Sequence, residues 1–228
     1  MVWEGVRTIA LTCHDRRASP RLHCVSQFFR IHPTHPQVRL LRQAAAILAA
    51  GGVVAYPTDS SYAIGCHLGD RRAVERIRRL RQLDEKHDMS LICRDLSELS
   101  VYAQVDNSNF RLLKRLLPGP YTLLLRGTRE VPRQLLHPKR RTIGLRIPDH
   151  LVLLALLAEY GAPLMSTTLR MPGDALPLTD PDEIRDRLEH DVELVIDGGV
   201  GGTAVTTVLD LTGEVPDQVR AGLGPWPL

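Results

Sequence analysis

The sequence predicts an α/β domain built on a mixed, twisted sheet with helices on its faces. Three observations carry that reading. Short apolar runs rich in β-branched residues alternate with stretches whose apolar residues recur at helical spacing. Some of those runs follow one another with only a turn between them, so strand-to-strand steps interrupt the alternation. No internal repeat and no linker appear after about residue 26.

The elements follow in order. Val38, Leu41, Ala45 and Leu48 recur at helical spacing after Pro36, which a first helical turn tolerates. That helix ends at Gly51-Gly52, where the backbone is free to take the positive φ that closes a helix. Val53 to Tyr56 is a buried strand, stopped by Pro57, which cannot donate to a ladder. Thr58, Asp59, Ser60 and Ser61 then cluster at the strand end, a place where ligands are met and also where Asx or Ser/Thr turns form. Tyr62 to Leu68 reads as the next strand, and Asp70 as the cap of a helix to about Leu83. Val74, Ile77 and Leu80 make its apolar stripe. Arg81 falls at the stripe's edge, where it must snorkel outward or meet an anion.

Gln82 to Asp88 reads as a polar loop and Met89 to Cys93 as a strand. Asp95 and Glu98 have capping-box spacing. A helix from about Asn107 to Leu117 stops at Pro118-Gly119-Pro120, and strands follow at Tyr121 to Arg126 and Thr142 to Ile147. Asp149 is expected to cap an apolar helix that ends at Gly161. Leu164 to Thr168 is a strand feeding irregular chain to Leu178. Asp180-Pro181 opens a charged helix to about His190, and Val192 to Ile196 and Thr206 to Leu211 read as strands. The glycine run 198–202 lacks the Lys-Ser/Thr of a phosphate-binding P-loop and reads as a loop.

Composition narrows the function classes. With 43% hydrophobic and 24% charged residues the chain is an ordinary globular one. Aromatic residues are only 4%, which argues against broad stacking platforms for single-stranded nucleic acid. The longest apolar run, Ala44 to Tyr56, is short of the ~20 residues of a membrane span. Cys13, Cys24, Cys66 and Cys93 lack Cys-x-x-Cys spacing, fit no common zinc site and read as reduced thiols of a cytoplasmic protein. Residues 1–25 read as a poorly ordered extension and residues 26–228 as one domain. Arginines gather at 71–81 and, with Lys139, at 140–146, while carboxylates gather at 180–193. Segregated charge of this kind suits an anionic ligand. Several strand ends also carry a hydroxyl or an arginine beside a turn, which suits phosphate and carboxylate oxygens. No nucleophile-base pair and no metal-ligand spacing stands out, so no metal-binding residue is assigned.

Five motifs recur in order and spacing: Tyr56-Pro-Thr-Asp-Ser-Ser-Tyr62, Arg79-Leu-Arg81, Pro118-Gly-Pro-Tyr-Thr122, Gly144-Leu-Arg-Ile-Pro148 and Thr206-Thr-Val-Leu-Asp210. From about Ser26 to the C-terminus the chain resembles the YrdC family, and its YciO branch through Ser26 to Pro33 and Cys93 to Ser100. The resemblance implies a YrdC-like single domain with an open, basic concave face. It also implies a nucleotidyltransferase reaction, in which L-threonine, bicarbonate and ATP give threonylcarbamoyl-AMP and pyrophosphate, a step toward the t6A modification of tRNA. ATP enters as substrate, with Mg2+ on its phosphates. Arg79 and Arg81 would be catalytic. Thr58, Ser60, Arg81 and Thr206 would hold threonine and bicarbonate. Arg79, Thr122, Arg146, Thr168, Arg170 and Arg220 would line the nucleotide. Three departures bear on this: the family's Lys-x-Arg is Arg79-x-Arg81, its Lys-Pro-Leu is Asp88-Met-Ser-Leu91, and its Ser-Ala-Asn is Thr168-Leu169-Arg170. They leave open a different acyl acceptor. A double-stranded RNA or tRNA binder without catalysis, or a nucleotide-binding regulator, are the alternative functions.

Overall fold

The computed structural model describes residues 25–83 and 89–226. The expected N-terminal extension and most of the polar loop after Gln82 lie outside the described residues. Strand β1 (Gln27–Arg30) opens the chain, and helix α1 (Val38–Ala49) buries Leu41, Ala44, Ala45 and Leu48 along one stripe. Strands β2 (Val54–Tyr56) and β3 (Ala63–His67) follow as antiparallel neighbours, the expected strand-to-strand step. Helix α2 (Arg71–Arg81) is capped by Asp70, whose side chain accepts from Ala73 N at 3.0 Å.

After β4 (Ser90–Ile92), α3 (Leu96–Tyr102) starts at Asp95, which accepts from Glu98 N at 2.8 Å. Glu98 in turn accepts from Arg94 N, one residue before the cap. Helix α4 (Asn107–Leu116), β5 (Tyr121–Arg126), β6 (Thr142–Arg146), α5 (Leu151–Tyr160) and β7 (Leu164–Thr168) come next. Helix α6 (Pro181–Leu188), β8 (Leu194–Asp197), β9 (Thr207–Asp210) and β10 (Asp217–Arg220) complete the chain. One expectation is corrected. Asp149 does not cap α5: His150 occupies the cap position without a side-chain bond, and Asp149 N donates to Asp59 instead.

All ten strands form one mixed sheet in the order β1-β8-β2-β3-β7-β4-β6-β5-β9-β10. Helices α1 and α5 cover one face over β8, β2, β3 and β7, where Leu48, Leu153 and Leu156 pack on Val54, Leu164 and Leu194. Each such buried side chain contributes roughly 1.5–3 kcal/mol. Apolar residues of α2, α3, α4 and α6 pack on the other face. Beyond Ile92 no described helix covers the first face. The registers Ser166–Ser90–Gly144 and Thr122–Val208 therefore put small and hydroxyl side chains on a bare floor.

Candidate functional site

In a flat sheet the C-terminal ends of β2 and β6 would lie apart. Tyr56 pairs in line with Ala63 and Thr168, whereas Arg146 lines up with Ile92 and Leu164. A right-handed twist of roughly 20–25° per step accumulates to about 80–100° over the four steps from β2 to β6. That rotation lets the loop after β2 fold over the bare floor to the end of β6. The contact is explicit: Arg146 Nη2 donates to Asp59 Oδ1 at 2.8 Å and to Ser60 Oγ at 3.2 Å. Asp59 Oδ2 accepts from Asp149 N at 3.0 Å, fixing the loop to the entry of α5.

The four small polar residues of that loop divide their roles. Thr58 Oγ1 donates to Ser61 O at 2.7 Å and accepts from Ser60 N and Ser61 N, so its hydroxyl builds the turn. With that proton engaged, Ser60 Oγ donates to Thr58 Oγ1 at 3.1 Å and keeps a lone pair beyond the one facing Arg146. The glycine run packs against this loop. A side chain at Gly202 would collide with the Ser60 carbonyl oxygen, and Ser61 bridges to Thr203. The run is thus glycine-rich for close backbone approach.

Beside Arg146 on the neighbouring strand, Thr122 Oγ1 lies 2.7 Å from Thr206 Oγ1. Arg220 Nη2 donates to Thr206 O at 3.0 Å and to Thr206 Oγ1 at 3.2 Å. Burial lowers the pKa of Arg146, and Asp59 opposes that shift by favouring the charged form. Gly144 keeps the floor between the strands low, because a Cβ there would meet Ser90 Oγ at 3.1 Å and Thr122 Cγ2 at 3.3 Å. Tyr56 donates to Ser166 Oγ at 2.8 Å beneath it.

The other end of the loop ties in β7. Ala63 pairs with Thr168, and Leu169 N donates to Tyr62 O at 2.9 Å. Arg170 follows, exposed at the rim. Arg81, the last residue of α2, is only 7% exposed and its Nε has no partner. Burial pulls its pKa down to about 10, with Arg170 adding to the shift. Arg79 does not join Arg81. Two residues apart on a helix means about 200° of rotation. Arg79 instead lines a groove of about 1200 Å³ with Arg76, Gly52 and Glu193.

Loop 57–62 thus links two groups of expected residues: Ser60 with Arg146, Thr122, Thr206 and Arg220, and Thr168 with Arg170. Arg81 completes the second group through its charge, while Arg79 stands outside both. Asp59, Ser90, Gly144 and Ser166 belong to the same surroundings and were not singled out from sequence as site residues. Only Asp59 had a signal, its place inside the Pro-Thr-Asp-Ser motif. Among the described residues no three His, Cys, Asp or Glu side chains gather as metal ligands, and no helix is long and apolar enough to cross a membrane.

Comparison with known proteins adds names to this geometry. The Sua5/YciO/YrdC family model, described as "Telomere recombination", matches residues 46–222. An uncharacterized protein YciO of Escherichia coli is 54% identical over 200 residues, covering 88% of this chain and 97% of the relative. The crystal structure of E. coli YciO superposes with a TM-score of 0.84 over the same shares of the two chains. A threonylcarbamoyl-AMP synthase of Mus musculus is 34% identical, over 78% of this chain and 62% of the relative. Sua5 of P. abyssi, solved in complex with L-threonine, gives a TM-score of 0.79 at 26% identity, over 86% of this chain and 58% of that one.

Proposed function

The chain belongs to the Sua5/YciO/YrdC family, and we propose that it makes carbamoyl-adenylates of the threonylcarbamoyl-AMP type. An α-amino acid, bicarbonate and ATP would give the N-carbonyl-AMP derivative, pyrophosphate and water. The observation that carries this is the polar cluster at the end of β6. A buried Arg146 held by Asp59, two paired threonine hydroxyls and a second arginine face a bare sheet floor.

The chemistry needs positioning and neutralisation rather than an enzyme nucleophile. The amino nitrogen adds to the carbon of bicarbonate, water leaves and a proton goes to solvent. A carbamate oxygen then attacks the α-phosphorus as the bond to the β-phosphate breaks. Ser60, with its open lone pair, would accept from the acceptor's amino group. Arg146 and Arg220 would offset charge on the nucleotide, and Thr122, Thr206 and Thr168 would donate to phosphate or ribose oxygens. Mg2+ would travel on the triphosphate, held by phosphate oxygens and water.

The test incubates the protein with ATP, labelled bicarbonate and each of several amino acids, threonine included. Amino-acid-dependent pyrophosphate release with a labelled acyl-adenylate is the expected result. Release with none of them would sink the reading. A link to tRNA modification rests on the named relatives.

A second reading, binding of duplex RNA, is favoured by one observation. Arg126, Arg129, Arg133, Lys139 and Arg141 are all exposed at the far ends of β5 and β6. Titrating a duplex RNA at rising salt tests it, and an affinity flat with salt would be inconsistent with phosphate contacts.

A further inference from the structure

Arg81 and Arg170 make a charged subsite that the reaction as described does not use up. Arg81 is nine-tenths buried, yet its Nε lacks any partner, and no carboxylate of the described residues pairs with its guanidinium. A buried cation left this way costs several kcal/mol. Arg170 is set beside it by the frame of the fold. Leu169 turns its side chain into the core and its N–H onto Tyr62 O, so the next residue emerges at the rim next to the loop that carries Ser60. Arg170 likewise has no carboxylate partner among the described residues. Two guanidiniums at the amino-acid end of the hollow call for two negative charges.

Threonine would bring one negative charge, its α-carboxylate, and a neutral side chain. We propose that the acceptor is an amino acid with a second carboxylate, aspartate or glutamate, its α-carboxylate held by Arg81 and its side-chain carboxylate by the fork of Arg170. This rests on the carbamoyl-adenylate reading for the reaction but not for the binding, and it moves Arg170 from the nucleotide side to the acceptor. The covalent steps are unchanged: the amino nitrogen gains the carboxyl carbon of bicarbonate with loss of water, and pyrophosphate leaves from the α-phosphorus. The side-chain carboxylate takes no part in bond making.

The test is calorimetric binding of L-aspartate, L-glutamate and L-threonine to the full chain with a non-hydrolysable ATP analogue present, repeated with Arg170→Met. Arg170 is exposed, so the variant should fold, and its thermal melt checks that. At least tenfold tighter binding of one acidic amino acid over threonine is expected. The variant should lose that preference while threonine binding changes less than twofold. Equal or tighter threonine binding, no binding of either acidic amino acid, or an unchanged ratio in the variant overturns the proposal. So does a variant in which only the ATP analogue binds more weakly, which would place Arg170 on phosphates. Acidic amino acids that bind without any pyrophosphate release would retire the proposed reaction and leave this subsite standing.

Discussion

Arg146 carries a guanidinium into a place with little water, and Asp59 is what makes that tolerable. Both side chains are under a tenth exposed. Removing one partner of such a pair leaves an uncompensated buried charge. Asp59→Ala should therefore cost about 3–5 kcal/mol in urea unfolding and abolish pyrophosphate release. A loss under 1 kcal/mol would mean water already shields Arg146. His150 offers a pH signature at the same spot. Its Nδ1 is buried without a partner, and burial lowers its pKa below the ordinary 6.5, while Asp59 and Asp149 pull the other way. With the folded value depressed, the unfolded chain takes up the proton first as pH falls through 6.5. Stability is full above that value and declines below it. Between about pH 7 and pH 5 the melting temperature should fall more in the native protein than in His150→Asn, read by scanning calorimetry.

Elements whose reasons are local were open to the sequence, and those whose reasons lie elsewhere were not. Asp70, Asp95 and Asp180 cap helices where their spacing to an apolar stripe said they would. Asp149 has the same look, yet its backbone N–H is taken by Asp59, ninety residues away in sequence. Strands β1 and β10 sit at the sheet's edges with mostly exposed side chains, so neither shows an alternating apolar pattern of its own. The separation of Arg79 from Arg81 was open to helical periodicity, whereas the meeting of Asp59 and Arg146 needed the sheet's twist. The glycine run yields its purpose only through what lies against it. Gly202→Ala pushes a methyl into the Ser60 carbonyl, which as backbone cannot swing aside. Overpacking of this kind costs about 1–3 kcal/mol. A lowered melt with a raised KM for the amino acid is expected. A changed melt with an unchanged KM would show that the Ser60 loop does not touch that substrate.

At the scale of the whole molecule, the α/β class, the mixed sheet and most strands were legible, because apolar runs and breakers mark them. The strand order was not, since β3 pairs with β7 and β5 with β9 across long stretches of chain. A ligand that binds only the folded state stabilises it by about 2.7 kcal/mol at a hundred times its Kd. For a chain of 150–250 residues each kcal/mol is worth about 2–4 °C. Saturating ATP analogue should thus raise the melting temperature by about 5–10 °C, and no rise would exclude nucleotide binding by the native fold. The two halves of the first sheet face also differ in what they owe to folding. Where α1 and α5 lie, a changed side chain disturbs the packing that keeps the chain native. On the uncovered half, and at Arg170 on its margin, residues can be exchanged with little effect on the rest. The scaffold can therefore stay fixed while a single rim position resets which small molecule is welcomed, so close relatives with one backbone need not share a substrate.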